Sequence, residues 1–379
     1  MIDQKMFLNQ LKLEGIEFFT GVPDSYLNGF CSCLTEYVSD NKHVIAANEG
    51  NAIAIASGYH FATGSIPLVY MQNSGMGNAL NPLVSLVDRH VYSVPMVIVI
   101  GWRGDPSDYD HDQHKTQGII TTKLLDMLKL PYQIIKDDND SIEETVKWVV
   151  KQAKNTNGPS VLIARKGVMA EAVKKAPVDD SYPMNREDAI NVSLNVLPAD
   201  TIVVASTGRA TRELFFLREE RGETHQNDIL NVGAMGHSSS IAMGLALAKP
   251  DRLVVCFDGD SSALMHLGAL TTVSQVNLPN FIHIILNNGA HESVGGQPSV
   301  GHKIKFAEIA NGSGYRVATV SNSDELRKAL EKFSDGTAPS LIDVRIKQGM
   351  RPFLPPLDIN HNEIISNFKE KNIKRGIKK

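Results

Sequence analysis

The sequence predicts an α/β protein of two doubly wound domains. Each is a parallel sheet covered by helices on both faces. Three observations carry this. Short β-branched runs alternate with segments of helical length, the alternation lapses over a polar stretch at 174–183 that holds two prolines, and it then starts again for a similar distance. A chain of 379 residues suits two such domains and at most three. In the first half the strand runs are 16–20, 43–46, 67–71, 96–100, 132–135 and 160–164. The apolar residues at three-and-four spacing over 51–62 and 142–154 read as helices between them. In the second half the strand runs are 201–205, 228–232, 252–257, 281–286, 315–320 and 340–346. The repeat is one of architecture, since the halves share no residue-level identity. The segment 369–379 is basic with little apolar content and reads as a solvated tail.

Composition narrows the function classes. Lys plus Arg is 38 and Asp plus Glu is 42, a net charge of −4, which argues against a nucleic-acid binder. Hydrophobic residues at 42% and charged residues at 21% fit a globular chain with full cores. Cys31, Cys33 and Cys256 form no spaced framework and point to a reducing compartment. The first residues show no secretory pattern, and no apolar run reaches the roughly 18 residues of a membrane span. The expectation is a cytoplasmic protein with no membrane partner.

Two polar clusters carry the chemistry. Asp258-Gly259-Asp260-Ser261-Ser262 closes one strand run, and Asn287-Asn288-Gly289 closes the next. Both therefore fall at carboxyl ends of neighbouring strands, where open α/β sheets place ligands. An Asp and an Asn there supply hard oxygens of the kind Mg²⁺ takes, and the helix start after Ser261 offers backbone N–H groups to a diphosphate. Either cluster alone reads as an ordinary turn, because Asp-Gly and Asn-Gly are common turn dipeptides. In the first half, Asn48-Glu49-Gly50-Asn51 again leads from a strand end into a helix. Glu49 alone would read as a first-turn acid favouring the helix dipole.

Gly259-Asp260-Ser261 followed one strand later by Asn287-Asn288 resembles the thiamin diphosphate signature, Gly-Asp-Gly with a later Asn-Asn. Ser261 stands in place of the last glycine. The resemblance implies thiamin diphosphate and Mg²⁺ as cofactors. Asp260, Asn288 and the carbonyl of Ala290 would be metal ligands, with the register between Asn287 and Asn288 open. It also implies that Glu49 faces the cofactor's pyrimidine nitrogen. Gly21-Val22-Pro23-Asp24-Ser25, Gln72-Asn73-Ser74-Gly75-Met76-Gly77-Asn78, Gly101-Trp102-Arg103-Gly104, Thr207-Gly208-Arg209-Ala210-Thr211-Arg212, Gly236-His237-Ser238-Ser239 and Asn288-Gly289-Ala290-His291-Glu292-Ser293-Val294-Gly295-Gly296-Gln297-Pro298 resemble the phosphonopyruvate decarboxylase family. The likeness runs from about residue 5 to 350, and it implies a chain with no central third domain, unlike most thiamin-dependent decarboxylases. Sulfopyruvate decarboxylases share these motifs.

The family likeness implies decarboxylation of 3-phosphonopyruvate to phosphonoacetaldehyde and CO₂ in phosphonate biosynthesis, of the 2-aminoethylphosphonate type. Sulfopyruvate or another small 2-oxo acid is the alternative substrate. It implies a pyrimidine-binding domain over 1–172, a linker over 173–185, a diphosphate-binding domain over 186–362 and a basic tail over 363–379. Gly208, Gly236, His237, Gly259, Ser261 and Ser262 would help hold the cofactor, and Asn73 would touch substrate. It implies a homo-oligomer, at least a dimer, with each cofactor shared between subunits.

Other candidates follow from position. Residues 105–114 are dense in carboxylates and imidazoles after a strand end. They read either as a polar surface loop or as an active-site loop in which His114 reaches the substrate. His291 lies three residues after Asn288 and is a candidate catalytic group near the diphosphate, or an ordinary core or surface histidine. Asp24 and Ser25 can cap the helix beginning near Tyr26 while facing the substrate. Arg212 is either a diphosphate contact or a solvated cation. Cys31 and Cys33 lie two apart on a helix and point in different directions. A nicotinamide dehydrogenase would need a full Gly-x-Gly-x-x-Gly turn, and Gly75-Met76-Gly77 is followed by Leu80 where the third glycine belongs. A non-catalytic binding protein on the same scaffold would be expected to lack Glu49 or Asp260, and both are present.

Overall fold

The computed structural model describes residues 1–169, 181–355, 357 and 359–373. The chain divides into two compact units. One holds the described residues up to 169 with His291–Gln297, and the other holds those from 181 to 290 and from 298 onward.

In the first unit β1 (Phe19–Gly21), β2 (His43–Ile45), β3 (Leu68–Gln72), β4 (Met96–Gly101), β5 (Tyr132–Ile134) and β6 (Pro159–Ala164) form one sheet. Its order is β2-β1-β3-β4-β6-β5. The second half contributes β7 (Ile202–Ala205), β8 (Asp228–Leu230), β9 (Val254–Gly259) and β10 (Phe281–Asn287). A small ribbon of β11 (Ala290–His291) and β12 (Gln297–Pro298) comes next, and then β13 (Arg316–Val320) and β14 (Ser340–Arg345). The six longer strands lie in the order β13-β14-β10-β9-β7-β8. Read from the β8 edge and counted within its own unit, that is 2-1-3-4-6-5, the order of the first sheet. The pairings in both sheets are parallel. The α/β class with two doubly wound parallel sheets is therefore what the chain adopts.

A parallel sheet covered on both faces wants apolar residues at every position, and β4 shows why these runs fold so. All of Met96–Gly101 is buried. Val97 and Val99 pack with Phe7, Leu11 and Val146 on one face, while Met96, Ile98 and Ile100 pack with Ile53, Ala56 and Leu83 on the other. The second unit repeats the device. Val255 and Phe257 meet Leu214 and Leu330 on one side, and Val254 and Cys256 meet Ala242 and Leu270 on the other.

The helix Glu49–Thr63 starts where it does because Asn48 caps it, its side chain accepting the Asn51 N–H at 2.9 Å. Asp24 caps only a short 3-10 turn, Ser25–Leu27, ahead of the helix Asn28–Tyr37.

Residues 173–180 of the expected linker and 374–379 of the expected tail lie outside the described residues. The stretch read as a basic tail differs from that reading up to its last described residue. His361–Asn372 is a helix whose Phe368 enters the second unit's core and whose Asn372 is buried, donating to the Gln226 carbonyl at 2.8 Å. One aromatic residue on the inner face outweighs the many lysines. Among the described residues, no helix is long and apolar enough to cross a membrane.

Candidate functional site

Loops leaving β1, β2, β3 and β4 carry the first unit's candidates. Asp24 follows β1 and is fully buried, its Oδ2 accepting the Tyr26 N–H at 3.0 Å while Oδ1 has no partner. Burial pushes its carboxyl up to about 6, against the pull of Arg103. Glu49 follows β2 and is 5% exposed, and its Oε2 accepts from the Asn78 amide at 2.7 Å. Burial raises this carboxyl too, against that hydrogen bond. Gly75 lies so close to the Glu49 carboxylate that a Cβ there would overlap it.

Arg103, after β4, is the hub of the remaining groups. Its guanidinium grips Asp110 through Nε at 2.8 Å and Nη2 at 2.7 Å, and Nη1 donates to Ser25 Oγ at 3.0 Å. It also lies over the Tyr26 ring at 4.6 Å. His114 Nδ1 meets Asp110 Oδ1 at 2.9 Å. Burial works against the Asp110 carboxylate, yet Arg103, His114 and the N–H groups of His111 and Gly104 hold it far below the usual carboxylate range. Burial also lowers the His114 imidazole, which favours its neutral form. Asn73 is fully buried. Its Nδ2 donates to the Arg103 carbonyl at 2.8 Å and to Thr121 Oγ1 at 2.9 Å, and its Oδ1 accepts the Arg103 N–H at 3.1 Å. The amide of Asn73 thus clamps the Arg103 turn, a role its place in the motif did not suggest.

In the second unit the loops leaving β7, β8, β9 and β10 do the corresponding work. Gly208 caps the helix Arg209–Glu220 at φ +100°, and its carbonyl accepts from Arg212 Nε at 3.2 Å. Gly236 sits at φ +85°, where a Cβ would be strained and would overlap His266 and Met265; its N–H donates to Ser262 Oγ at 3.1 Å. His237 is exposed, stacks on His266 at 4.1 Å, and precedes the helix Ser238–Ala248. Gly259 ends β9, and Asp260 opens a helix of six residues. Asp260 is 2% exposed, its Oδ2 accepts from Ser299 Oγ, and burial pushes it up to about 6. Ser261 Oγ is buried without a partner, and Ser262 is buried.

Asn287 is fully buried. Its Nδ2 donates to the Gly301 carbonyl at 2.9 Å and to Asp343 Oδ1 at 3.0 Å, which leaves Oδ1 buried and unpartnered. A Cβ on Gly301 would overlap both Asp260 Oδ2 and Asn287 Oδ1, so those oxygens converge there. Asn288 Oδ1 accepts the Ala290 N–H at 3.1 Å. Ala290 is 4% exposed. His291 lies in the ribbon, its imidazole pushed down to about 4 by burial. Asp260 Oδ2 and Asn287 Oδ1 are hard oxygens, the latter buried and orphaned. That fits Mg²⁺ beside a diphosphate. The carboxylate of Glu49, buried with an amide donor, fits a heterocyclic nitrogen.

The sequence reading missed Asn78, Ser299, Asp343 and the Arg103–Asp110 clamp as parts of these sites. Arg103 and Asn78 stood inside motifs already noted, whereas nothing local marks Ser299 or Asp343.

Comparison with known proteins gives the family. The family model described as "Thiamine pyrophosphate enzyme, N-terminal TPP binding domain" matches residues 4–125, and the corresponding "C-terminal TPP binding domain" matches 207–344. The chain is 31% identical over 372 residues to a phosphonopyruvate decarboxylase of Streptomyces viridochromogenes, covering 91% of this chain and 90% of that one. It is 30% identical over 392 residues to one from Streptomyces hygroscopicus, covering 98% and 94%. A sulfopyruvate decarboxylase of Methanosarcina acetivorans is 26% identical over 383 residues, covering 95% of each chain. With both cofactor-binding domains matched and the likeness running end to end, the chain belongs to the thiamin diphosphate-dependent decarboxylases, in the family of the phosphonopyruvate decarboxylases.

Proposed function

We propose that the protein decarboxylates 3-phosphonopyruvate to phosphonoacetaldehyde and CO₂, dependent on Mg²⁺, and so serves phosphonate biosynthesis. The observation that carries this reading is the 31% identity to a phosphonopyruvate decarboxylase over 91% of the chain, against 26% to a sulfopyruvate decarboxylase. Thiamin diphosphate, when bound, supplies the electron sink for loss of CO₂ from a 2-oxo acid. Glu49 holds a proton at the cofactor's pyrimidine nitrogen. Asp260, an amide oxygen of the Asn287–Asn288 pair and the Ala290 carbonyl hold the metal. Gly208, Gly236, His237, Gly259, Ser261 and Ser262 shape the diphosphate cradle.

Asp24 and His114 manage protons at the reacting carbon, with Asp110 fixing the His114 ring through Nδ1 so that Nε2 is the working atom. Ser25 and Arg103 meet the substrate's anionic end, Asn73 acts by holding the Arg103 turn, and His291 lies beside the diphosphate. We place the enzyme in the cytoplasm as a homo-oligomer, at least a dimer, that shares each cofactor between subunits. The three cysteines, all free and buried, support that compartment.

The test gives purified protein, thiamin diphosphate and Mg²⁺ the substrates phosphonopyruvate, sulfopyruvate and pyruvate in parallel and follows CO₂ release. Phosphonopyruvate should turn over fastest. A higher kcat/KM for sulfopyruvate would replace this reading with the alternative.

A further inference from the structure

A second group of ligating side chains lies in the second unit, one layer below the cofactor turn. β9 and β10 pair in a register that sets His283 directly opposite Cys256, and Asp258 follows two residues later on the same face. Cys256 and Asp258 are fully buried and His283 is 2% exposed. Around them that face is otherwise apolar, built by Val204, Val254, Phe281 and Ile285. The Cys256 Sγ, a carboxylate oxygen of Asp258 and an imidazole nitrogen of His283 all lie within 4.8 Å of one another.

Their mutual contacts do not satisfy them. Asp258 Oδ1 and His283 Nδ1 have no hydrogen-bond partner, and the contact between Asp258 Oδ2 and His283 Nε2 is long at 3.4 Å. Orphaned buried polar atoms destabilise the fold unless something binds them. A cavity of about 10 Å³, lined by His283, His266 and Ser239, meets the group at His283 and has room for a single water.

We infer that Cys256, Asp258 and His283 form a binding site for a borderline divalent transition-metal ion, Zn²⁺ by its donor chemistry, with water from the adjoining cavity as the fourth ligand. A sulfur, a nitrogen and an oxygen suit Zn²⁺ or Co²⁺ and not Mg²⁺, which prefers oxygen ligands such as those proposed around Asp260. Thiolate and carboxylate together neutralise the ion's two charges. Binding exchanges the Cys256 thiol proton, released to solvent, for a metal–sulfur bond, with no change of oxidation state. Tetrahedral Zn²⁺ spaces its ligand atoms roughly 3.3–3.8 Å apart, so the group closes by about an ångström through side-chain rotation. Asp258 lies two residues before Asp260, so the ion would tie β9 to β10 at the root of the cofactor turn.

The probe is Co²⁺, titrated into full-length protein stripped of metals and thiamin diphosphate. The expected result is a near-ultraviolet thiolate-to-cobalt band with tetrahedral visible bands, saturating at one ion per chain and bleached by Zn²⁺. C256S should abolish the thiolate band, and H283Q should weaken Co²⁺ binding at least tenfold. The C31S/C33S double variant and D260A should keep the band. Absence of the band in wild-type protein overturns the site, as does its survival in folded C256S. Should C256S fail to fold, the wild-type titration and H283Q still decide the matter.

Discussion

Burial gives Asp24 its character before any ligand arrives. Its folded carboxyl titrates near 6 against an ordinary value of 3.8, so between those pH values the folded state binds more protons than the unfolded one. Stability contributed by the protonated form is therefore full below about pH 4 and lost as pH rises through 6. Two pK units correspond to about 3 kcal/mol. Asp24→Asn should then raise Tm at pH 7.5 far more than at pH 4, while lowering turnover; equal shifts at both pH values would refute the assignment.

Glu49 offers a sharper test of chemistry. Glu49→Gln keeps size and the Asn78 contact but not the charge, so cofactor should still bind while kcat falls by orders of magnitude. Gly75→Ala should mimic it, because the Gly75 backbone tolerates a side chain at φ −71° while the new Cβ displaces the carboxylate. Normal activity in Gly75→Ala would show that Glu49 need not stand where it does. Glu49, Asp24 and Asp260 were legible only because they stand in motifs that resemble the family's; taken alone, each reads as an ordinary turn or helix-cap acid. Their partners were not: Asn78 is 29 residues from Glu49 and Ser299 is 39 from Asp260, distances that only the folded backbone closes.

At the scale of elements, the helix Asp112–Met127 is positioned by the close approach of its Gly118 to Gly104. A Cβ on Gly118 would overlap the Gly104 carbonyl, and Trp102 Nε1 donates to the Gly118 carbonyl at 3.0 Å. Gly118→Ala must push that helix outward, and with it His114, Gln117 and Thr121. It should cost about 1–3 kcal/mol in denaturant unfolding and loosen the Asn73 clamp. Unchanged stability and KM would mean the contact positions nothing. The twelve strands of the two sheets fall close to the runs read from sequence, because sustained β-branched runs between turns are a strong local signal. The ribbon of β11 and β12 was not legible, since two-residue strands carry no period. The helix His361–Asn372 was hidden by its charge, its docking resting on Phe368 and Asn372.

For the whole molecule, the shared strand order 2-1-3-4-6-5 was beyond sequence reading, because it is set by which distant strands pair and not by any run's composition. Glu49 belongs to one unit and Asp260 to the other. The proposed dimer would complete each site with one residue from each subunit. Co-refolding Glu49→Gln with Asp260→Ala chains should then restore roughly a quarter of wild-type activity, since half the dimers are mixed and each mixed dimer has one intact site. No recovery in verified mixed dimers would mean that each chain builds its own site.

The two sheets share no strand, and each is flanked by its own pair of apolar layers. Splitting the chain between the sheets would leave both sheets whole but would part His291–Gln297 from the unit to which they belong. An open reading frame interrupted between codons 170 and 181 would encode two polypeptides, each holding all six strands of a sheet. Expressed from one operon, such a pair could be tuned, mutated or swapped half by half.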